Sequence, residues 1–324
     1  MPTMTAKEPP SPSEPLLCIV GPTAVGKTAL AVALARRFGG EVINADSRQV
    51  YWGMTIGTAK PTAEERAVAP HHLVDIMEPS ESFGLGLFLE YADEALCDVR
   101  GRGRLPIVCG GTGQYVWALA EGQRLPAAPP DPEFRAALEA EAERLGGGAL
   151  HQRLAAIDQA RAAALDPRNV RRVIRALEIH HVTGQRPSAL RPVAARAENS
   201  LVLGLTMPRD ALYRRIDQRV DRMMEDGFLG EVEELAAAGY TAGQGPLDSP
   251  GYRELGQYLD GALSLEEAVE RTKTQTHRLA RRQYAWFKPA NPRIRWLDAD
   301  DPGMVEDAAA SVSGFLNLQP PVIQ

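Results

Sequence analysis

Apolar runs and amphipathic stretches alternate along the first third of the chain. Residues 16–20 form a short apolar run, residues 28–38 place their large apolar side chains on one helical face, and residues 41–47 form a second apolar run that ends in polar residues. An amphipathic stretch over residues 87–100 and an apolar run over residues 105–109 follow. Strand, helix, strand, helix and strand at this spacing predict an α/β fold with a parallel sheet.

The pattern becomes helical after residue 124. A proline-rich joint leads to Asp131 and Pro132, which suit the N-cap and the first turn of a helix. Sequence rich in Ala, Glu, Arg and Leu continues to about Gly184. We therefore predict that residues 125–198 form an all-helical insertion.

An apolar run over residues 201–206 predicts that the chain then returns to the sheet. Further helices are predicted over residues 210–226, 229–238 and 264–288. Ser264 and Glu267 have the spacing of a capping box at the start of the last helix. The core of the fold is thus predicted to combine residues 15–124 with residues 199–324.

Composition narrows the class of protein. The chain has 324 residues, of which 44% are hydrophobic and 24% charged, as in globular proteins, and its net charge of -6 disfavours a protein that coats DNA. Residues 1–14 are rich in Pro, Ser and Glu and predict a disordered tail rather than a signal peptide. Three dispersed cysteines indicate reduced thiols, and no apolar run has the length of a membrane span. We expect a cytoplasmic monomer that needs no obligate protein partner.

The stretch GPTAVGKT lies between the first predicted strand and the first predicted helix. It matches G-x-x-x-x-G-K-T, in which backbone N–H groups wrap a polyphosphate. Lys27 supplies a positive charge, and the Thr28 hydroxyl suits a Mg²⁺ ion, the predicted cofactor. The motif predicts a P-loop NTPase-like sheet. Its predicted phosphate-binding residues are Gly21, Pro22, Thr23, Ala24, Val25, Gly26, Lys27 and Thr28.

The acid expected of a nucleotide-hydrolysing enzyme is missing from its usual place. P-loop ATPases commonly hold Mg²⁺ with an Asp that closes a later apolar strand. Here Gly110 and Gly111 follow residues 105–109. This disfavours nucleotide hydrolysis, while an acid from elsewhere in the chain remains open.

Polar residues follow the other predicted strands. Because the carboxyl ends of parallel strands meet at one crevice, Asp46 and Thr112 are predicted to face the phosphate loop. Asp46 could bind a metal, act as a general base or cap the following turn, and all three roles remain open from position alone. The adjacent His71 and His72 are interpreted as structural histidines, since neighbouring side chains point in different directions.

Several long motifs occur in a fixed order along nearly the whole chain. They are GPTAVGKT, INADSRQVYWGMTIGTAKP, PHHLVDI, VCGGTGQYVWAL, RRVIRALEIHHVTG, RIDQRVDRMMEDGF, GYRE and ARRQYAWF. Together they closely resemble the tRNA dimethylallyltransferases, also called tRNA isopentenyltransferases. The resemblance implies transfer of a dimethylallyl group from dimethylallyl diphosphate to N6 of the adenosine 3′ of the anticodon, in tRNAs that read codons beginning with U. The bound polyphosphate would then be the diphosphate, which leaves.

The resemblance also implies roles for individual residues. Asp46 would be the base that deprotonates the adenine amine, and Thr112 would position that amine. Lys27 and Arg219 would neutralise the departing diphosphate, and the target base would be flipped into the protein.

Basic runs around residues 168–175 and 271–288 favour RNA contacts despite the negative net charge. By resemblance, the helical insertion would clamp the anticodon arm. The residues predicted to contact tRNA are Asp46, Ser47, Arg48, Gln49, Thr112, Arg135, Arg171, Arg172, Val173, Ile174, Arg175, Asp248, Gly251, Tyr252, Arg253, Arg281, Arg282, Gln283, Trp286 and Lys288.

The chain departs from the family pattern at Val25, at Arg168-Asn169, at Pro250 and at His277. These departures bear on individual tRNA contacts rather than on the chemistry. Three alternatives remain from the sequence: an isopentenyltransferase that acts on free AMP or ADP, a P-loop kinase for a small metabolite, and a non-catalytic RNA-binding protein.

Overall fold

The computed structural model describes residues 14–124, 128, 131–190, 193–194 and 199–317. The strands are β1 (Pro15–Val20), β2 (Gly40–Asn44), β3 (His71–His72), β4 (Leu105–Cys109), β5 (Gln123–Arg124), β6 (Val193–Ala194), β7 (Asn199–Thr206) and β8 (Ile294–Asp298). The helices are α1 (Lys27–Phe38), α2 (Ala63–Val68), α3 (Leu85–Gly101), α4 (Gly113–Ala120), α5 (Pro132–Leu145), α6 (Gly147–Ile157), α7 (Gln159–Ala163), α8 (Val170–Thr183), α9 (Arg209–Glu225), α10 (Phe228–Ala237), α11 (Tyr252–Leu259), α12 (Leu265–Trp286) and α13 (Met304–Phe315). A 3₁₀ turn covers Gly245–Leu247.

Six strands form a parallel sheet in the order β3-β2-β4-β1-β7-β8, which confirms the predicted α/β architecture. Strand β1 lies inside the sheet, and its Cys18 is in register with Val108 on one side and Val202 on the other. The loops that follow β1, β2 and β4 therefore leave the same edge of the sheet. This edge carries the phosphate loop, Asp46 and Thr112.

Both faces of the sheet are covered. Leu17 and Ile19 point into a core shared with α1 and α13, and Leu16, Cys18 and Val20 point into a second core shared with α3 and α4. Every residue of β1 from Leu16 onward is fully buried. This two-sided burial explains why the strand is a continuous apolar run rather than an alternating one.

The chain separates into two compact units. One unit combines the chain up to Glu121 with the chain from Arg196 onward, and the other is Gly122–Ala195. The second unit contains α5 to α8, which pack around their own apolar cluster, and β5 pairs with β6 antiparallel. Among the described residues of the insertion predicted over 125–198, four helices, α5 to α8, are present together with strand β6. Most of the predicted disordered tail, residues 1–13, lies outside the described residues.

Local signals set several helix ends. Asp131 accepts the Phe134 amide at the start of α5, and Ser264 forms a capping box with Glu267 at the start of α12, as predicted. Gly39 adopts the left-handed conformation that ends α1. In the part of the chain that the structure describes, no helix is both long enough and apolar enough to cross a bilayer.

Candidate active site

A cavity of about 1280 Å³ opens at the carboxyl ends of the strands of the first unit. Its walls come from the phosphate loop, the segment after β2, the loop after β4 and the facing sides of α9 and α12. The predicted site residues that line it are Thr23, Ala24, Gly26, Lys27, Thr28, Asp46, Ser47, Arg48, Gln49, Thr112, Arg219, Asp248, Tyr252, Arg282, Gln283 and Trp286. One cavity therefore holds both the phosphate loop and the candidate base.

The phosphate loop runs from the buried end of β1 into the first turn of α1. Gly26 precedes the helix with φ 103°, a left-handed conformation that favours glycine. Val25 is 1% exposed and packs into the core below the loop, so its unusual side chain does not enter the cavity. The loop presents the helix N-terminus to the cavity, as an anion site requires.

Lys27 folds back over this loop. Its Nζ donates a hydrogen bond to the Pro22 carbonyl at 2.7 Å. Burial lowers the pKa of Lys27 to about 8, while the nearby Asp46 carboxylate acts in the opposite direction. Because an anion in the cavity would favour the charged ammonium, the lysine suits a site that binds phosphate.

Two further side chains meet at Thr23 in the phosphate loop. Arg219, on α9, directs Nη1 to the Thr23 hydroxyl at 3.4 Å. Burial lowers the pKa of Arg219 and the Asp46 carboxylate opposes that shift, but an arginine stays charged near neutral pH. Gln283, on α12, accepts the Thr23 amide hydrogen through Oε1 at 2.7 Å. The loop is therefore fixed by two helices whose contacting residues follow Thr23 by 196 and 260 residues in the sequence.

The structure shows Asp46 in one of the three roles that the sequence left open. Its Oδ1 accepts the Arg48 amide hydrogen at 2.8 Å, which is the cap of a turn. Its own amide donates to Asn44 Oδ1 at 3.1 Å. The carboxylate is half-buried and lines the cavity. The cap uses one oxygen, so the cap and a base at Oδ2 are compatible.

Thr112 is held next to Asp46 through the backbone. Thr112 Oγ1 accepts the Ser47 amide hydrogen at 3.2 Å, and the Thr112 amide donates to the Ala45 carbonyl at 3.2 Å. The Thr112 hydroxyl hydrogen thus remains able to point toward a ligand. The loops after β2 and β4 form one rigid wall of the cavity.

A magnesium ion at this site would have few protein ligands. Within the described ranges, no group of three or more His, Cys, Asp or Glu side chains could hold a metal ion. The Thr28 hydroxyl lines the cavity at the start of α1. This fits Mg²⁺ bound mainly by phosphate oxygens and water, since Mg²⁺ commonly keeps several waters.

Comparison with known proteins decides the family. A family model described as IPP transferase matches residues 49–290, and one described as isopentenyl transferase matches residues 15–70. The chain is 50% identical to a tRNA dimethylallyltransferase of Thermomicrobium roseum, over 94% of this chain and 92% of that protein. It is 48% identical to a tRNA dimethylallyltransferase of a Roseiflexus species, over 94% of this chain and 99% of the relative. The chain belongs to the tRNA dimethylallyltransferase family.

Solved structures of tRNA dimethylallyltransferases agree. A tRNA isopentenylpyrophosphate transferase of Bacillus halodurans matches with a TM-score of 0.70 and 44% identity, covering 94% of this chain and 97% of that one. A eukaryotic dimethylallyltransferase that acts on tRNA matches with a TM-score of 0.83 and 31% identity, covering 96% of this chain and 81% of that one. The P-loop NTPase-like fold and the prenyltransferase class predicted from the sequence are confirmed.

Several residues that the family resemblance assigned to tRNA have side chains that face the interior of the protein. Val173 and Ile174 are 0% and 3% exposed inside the core of the second unit, so a tRNA contact at these residues would have to use the backbone and stays a prediction. The side chain of Tyr252 is fully buried, with its hydroxyl donated to Glu231 at 2.6 Å. Gly251, which is also buried, leaves no room for a Cβ against Phe228. These residues shape the fold around the site.

Other predicted tRNA-binding side chains already have partners within the protein. Arg135 and Arg175 both pair with the buried Glu178, at 2.6 Å each. Arg253 pairs with Asp248 at 2.9 Å and with Glu254 at 2.7 Å. A phosphate would have to compete with these carboxylates, so tRNA contacts at these arginines stay predictions.

Gln49 is tied to the same wall of the cavity. Its Nε2 donates to the Thr58 and Ala59 carbonyls at 3.0 and 2.9 Å. The Gln49 carboxamide therefore fixes the loop that follows β2. A contact between its oxygen and tRNA stays a prediction. Among the other candidates, exposed positions are held by Arg171, Arg172, Arg281, Arg282, Trp286 and Lys288.

Three of the residues that depart from the family pattern can be placed in the structure. His277 lies with Nε2 2.8 Å from Asp217 Oδ1 and stacks on the Tyr213 ring at 4.0 Å. Asn169 caps α8. Pro250 lines the cavity. The interpretation of His71 and His72 as structural agrees with their bonds, since His71 Nδ1 lies 2.8 Å from the Ala69 carbonyl and His72 Nε2 lies 2.8 Å from Glu41.

Sequence reasoning missed two groups of site residues. Arg215 and Arg222 line the cavity beside Arg219, and their spacing along α9 would have placed them on one helical face. Glu231, on α10, accepts the amide hydrogens of Thr55, Ile56 and Gly57 at 2.6 to 3.1 Å. The role of Glu231 depends on contact between segments about 175 residues apart in the sequence, which no local pattern reveals.

Proposed function

We propose that this protein transfers the dimethylallyl group of dimethylallyl diphosphate to N6 of an adenosine in tRNA and releases diphosphate. The adenosine is the one 3′ of the anticodon in tRNAs that read codons beginning with U. The observation that carries the proposal is that one cavity holds the phosphate loop, with Lys27 and Arg219, and the Asp46–Thr112 wall.

In this reaction the adenine N6 attacks C1 of the dimethylallyl group. The C1–oxygen bond breaks, and its electron pair leaves with the diphosphate. Asp46 Oδ2 takes the proton from N6, and the Thr112 hydroxyl positions the amine. The Asp46 cap by the Arg48 amide orients the carboxylate for this step.

The departing diphosphate gains negative charge in the transition state. The amides of the phosphate loop, the Lys27 ammonium and the Arg219 guanidinium stabilise that charge. Thr28 and the diphosphate oxygens would hold Mg²⁺, which when bound neutralises part of the charge. Because the cations are fixed before the reaction, little reorganisation is required as the bond breaks.

The kinase alternative is disfavoured by the loop after β4. A Cβ on Gly110 would overlap with the Ala45 carbonyl, and a Cβ on Gly111 would overlap with Gln283 Nε2. The backbone of Ala45 leaves no space for an acid at Gly110, and an acid at Gly111 would have to displace the Gln283 carboxamide. This supports a phosphate loop that serves a leaving group rather than nucleotide hydrolysis.

Free AMP or ADP has fewer phosphates than the cations in the cavity and on the second unit could bind. Arg215, Arg222 and Arg282 line the cavity in addition to the cations assigned to the donor, and Arg171 and Arg172 are exposed on the second unit. Several cations beyond the donor site suit an acceptor with many phosphates. We propose that the second unit contacts the anticodon arm. Location in the cytoplasm and a monomeric state stay predictions.

The test compares three parallel reactions. Two contain labelled dimethylallyl diphosphate, one with total tRNA and one with AMP as the acceptor. The third contains ATP and candidate metabolites in place of the dimethylallyl donor. Label in tRNA alone is expected. Label only in AMP, or phosphate transfer from ATP, would overturn the proposal.

A further inference from the structure

Gln283 belongs to the run of α12 that the family resemblance assigned to tRNA, but it faces the protein. Its residue is 8% exposed, whereas Arg281 and Arg282, which precede it, are exposed. Its carboxamide lies between two loops of the active site. A side chain in this position is turned away from any RNA that the outer face of α12 binds.

The two ends of this carboxamide touch different loops. Oε1 accepts the Thr23 amide hydrogen of the phosphate loop at 2.7 Å. Nε2 lies against Gly111, where a Cβ would overlap with it. Gly111 in turn approaches the Gly21 carbonyl, which would lie 3.7 Å from such a Cβ. The thickness of one carboxamide therefore sets how closely the phosphate loop and the loop after β4 approach each other.

A second residue of α12 contacts the same loop on the other side of Thr112. A Cβ on Gly113 would overlap with Trp286 Cβ, and Trp117 Nε1 donates to the Trp286 carbonyl at 3.3 Å. Gln283 and Trp286 are one helical turn apart. Helix α12 thus holds the loop that carries Thr112 at two points.

We propose that Gln283 is a positioning residue for the donor, which aligns the phosphate loop with the Thr112 loop and does not contact RNA. It deepens the proposed function, because it assigns the side chain to diphosphate binding in the same site. The Thr23 amide is the atom through which Gln283 acts. Without an acceptor on α12, that amide and the loop lose their fixed geometry.

The test uses Gln283→Met, which keeps the approximate length of the side chain but removes the acceptor. The dissociation constant of inorganic diphosphate, measured by calorimetry with Mg²⁺ present, is expected to rise about five- to tenfold, as for the loss of one hydrogen bond. The dissociation constant of tRNA is expected to stay within about twofold of the wild-type value, because the Gln283 side chain does not contact RNA in this proposal. At saturating tRNA, the KM for dimethylallyl diphosphate is expected to rise by the factor seen for inorganic diphosphate.

Two further variants complete the experiment. Gly111→Ala leaves Gln283 intact but displaces its carboxamide, so it is expected to weaken diphosphate binding in the same way and remains informative if Gln283→Met fails to fold. Gln257→Met makes the same chemical change on the neighbouring α11 and is expected to alter neither constant.

Unchanged diphosphate affinity in both Gln283→Met and Gly111→Ala, or weaker tRNA binding by Gln283→Met with diphosphate affinity intact, would overturn the proposal. The binding of inorganic diphosphate is read without turnover. A wild-type protein that labels no tRNA would therefore count against the proposed function and leave the assignment of Gln283 to be decided by these constants.

Discussion

The Asp46 carboxylate accepts the amide hydrogen of Arg48 at 2.8 Å through Oδ1. One oxygen of the proposed base thereby fixes the turn that carries it. The other oxygen is the one that takes the proton in the proposed mechanism. The structural and the chemical roles of this residue can therefore be separated by substitution.

Asp46→Asn keeps an oxygen for the Arg48 amide but removes the base. We expect the rate constant for transfer to fall about 10²- to 10⁴-fold, the usual contribution of a general base, while the tRNA dissociation constant changes little. Single-turnover kinetics and filter binding provide the two numbers. Asp46→Ala also removes the cap, so it is expected to add about 1 kcal/mol of destabilisation that Asp46→Asn does not show. Loss of tRNA binding with an intact rate constant in Asp46→Asn would contradict the base role.

Diphosphate binding is expected to weaken as the pH rises through about 8, because the pKa of Lys27 in the free protein is lowered to about 8. Below that pH the ammonium is charged and attracts the anion, and above it the amine is neutral. For one required proton, affinity at pH 9 would be roughly tenfold below affinity at pH 7. Calorimetry with inorganic diphosphate across this range measures the effect.

The matched control for this pH profile is Lys27→Arg. Its guanidinium stays charged throughout the range, so its affinity should lack the step near pH 8. Changes in the ionisation of diphosphate itself affect both proteins equally. A step of the same size in Lys27→Arg would show that another group is responsible.

Glu231→Gln tests the anchor of the segment at Thr55, Ile56 and Gly57. These amides and the Tyr252 hydroxyl donate hydrogen bonds to the Glu231 carboxylate. Burial and the nearby carboxylate both raise the pKa of Tyr252, so its phenol keeps the hydrogen that it donates. Loss of the charge is expected to destabilise the fold by about 1.5–3 kcal/mol. Because the segment lines the cavity, the KM for tRNA should also rise.

Denaturant unfolding and steady-state kinetics measure these two effects of Glu231→Gln. Glu233→Gln is the control, since Glu233 is exposed on the same helix α10. An equal loss of stability in both variants would refute the anchoring role.

The double variant Arg171→Ala/Arg172→Ala tests the second unit as an RNA-binding surface. Both side chains are exposed on the first turn of α8. We expect a higher KM for tRNA, an unchanged KM for the donor, and a decrease in the salt dependence of tRNA binding by about 1.5 logarithmic units per logarithmic unit of salt, for two lost phosphate contacts. Arg161→Ala, at an exposed position on α7 of the same unit, serves as the control. A salt slope identical to that of the wild-type protein would contradict the assignment.

The fold was predictable where residues carry local signals. The apolar run of β4 was placed at the observed bounds, and the N-caps at Asp131 and Ser264 were read correctly. Strands β3 and β8 were missed: β3 has two residues, and β8 alternates buried Ile294 and Leu297 with partly or fully exposed neighbours, which resembles a loop. Short elements of this kind are defined by their neighbours in the sheet rather than by their own pattern.

Some residues of the candidate site were also predictable from the sequence, and others were not. The phosphate loop, Asp46 and Thr112 could be placed together because strands of a parallel sheet end at one edge. The roles of Gln283 and Glu231 depend on contacts across about 260 and 175 residues, and spacing within a helix cannot tell which of its faces meets a distant loop. Val173 and Ile174 show a further limit, because a family motif assigns a residue to tRNA without telling that its side chain packs in the core.

The position of β1 between β4 and β7 has a consequence for synthesis of the protein on the ribosome. Strand β7 begins at residue 199, so the nascent chain carries β1 with at least one unpaired edge until roughly 180 more residues have been made, which takes about 10 to 40 s at ordinary elongation rates. Its residues from Leu16 to Val20 are all apolar. Throughout that interval an unpaired apolar strand is open to self-association, and a chaperone that shields it would raise the yield of folded enzyme.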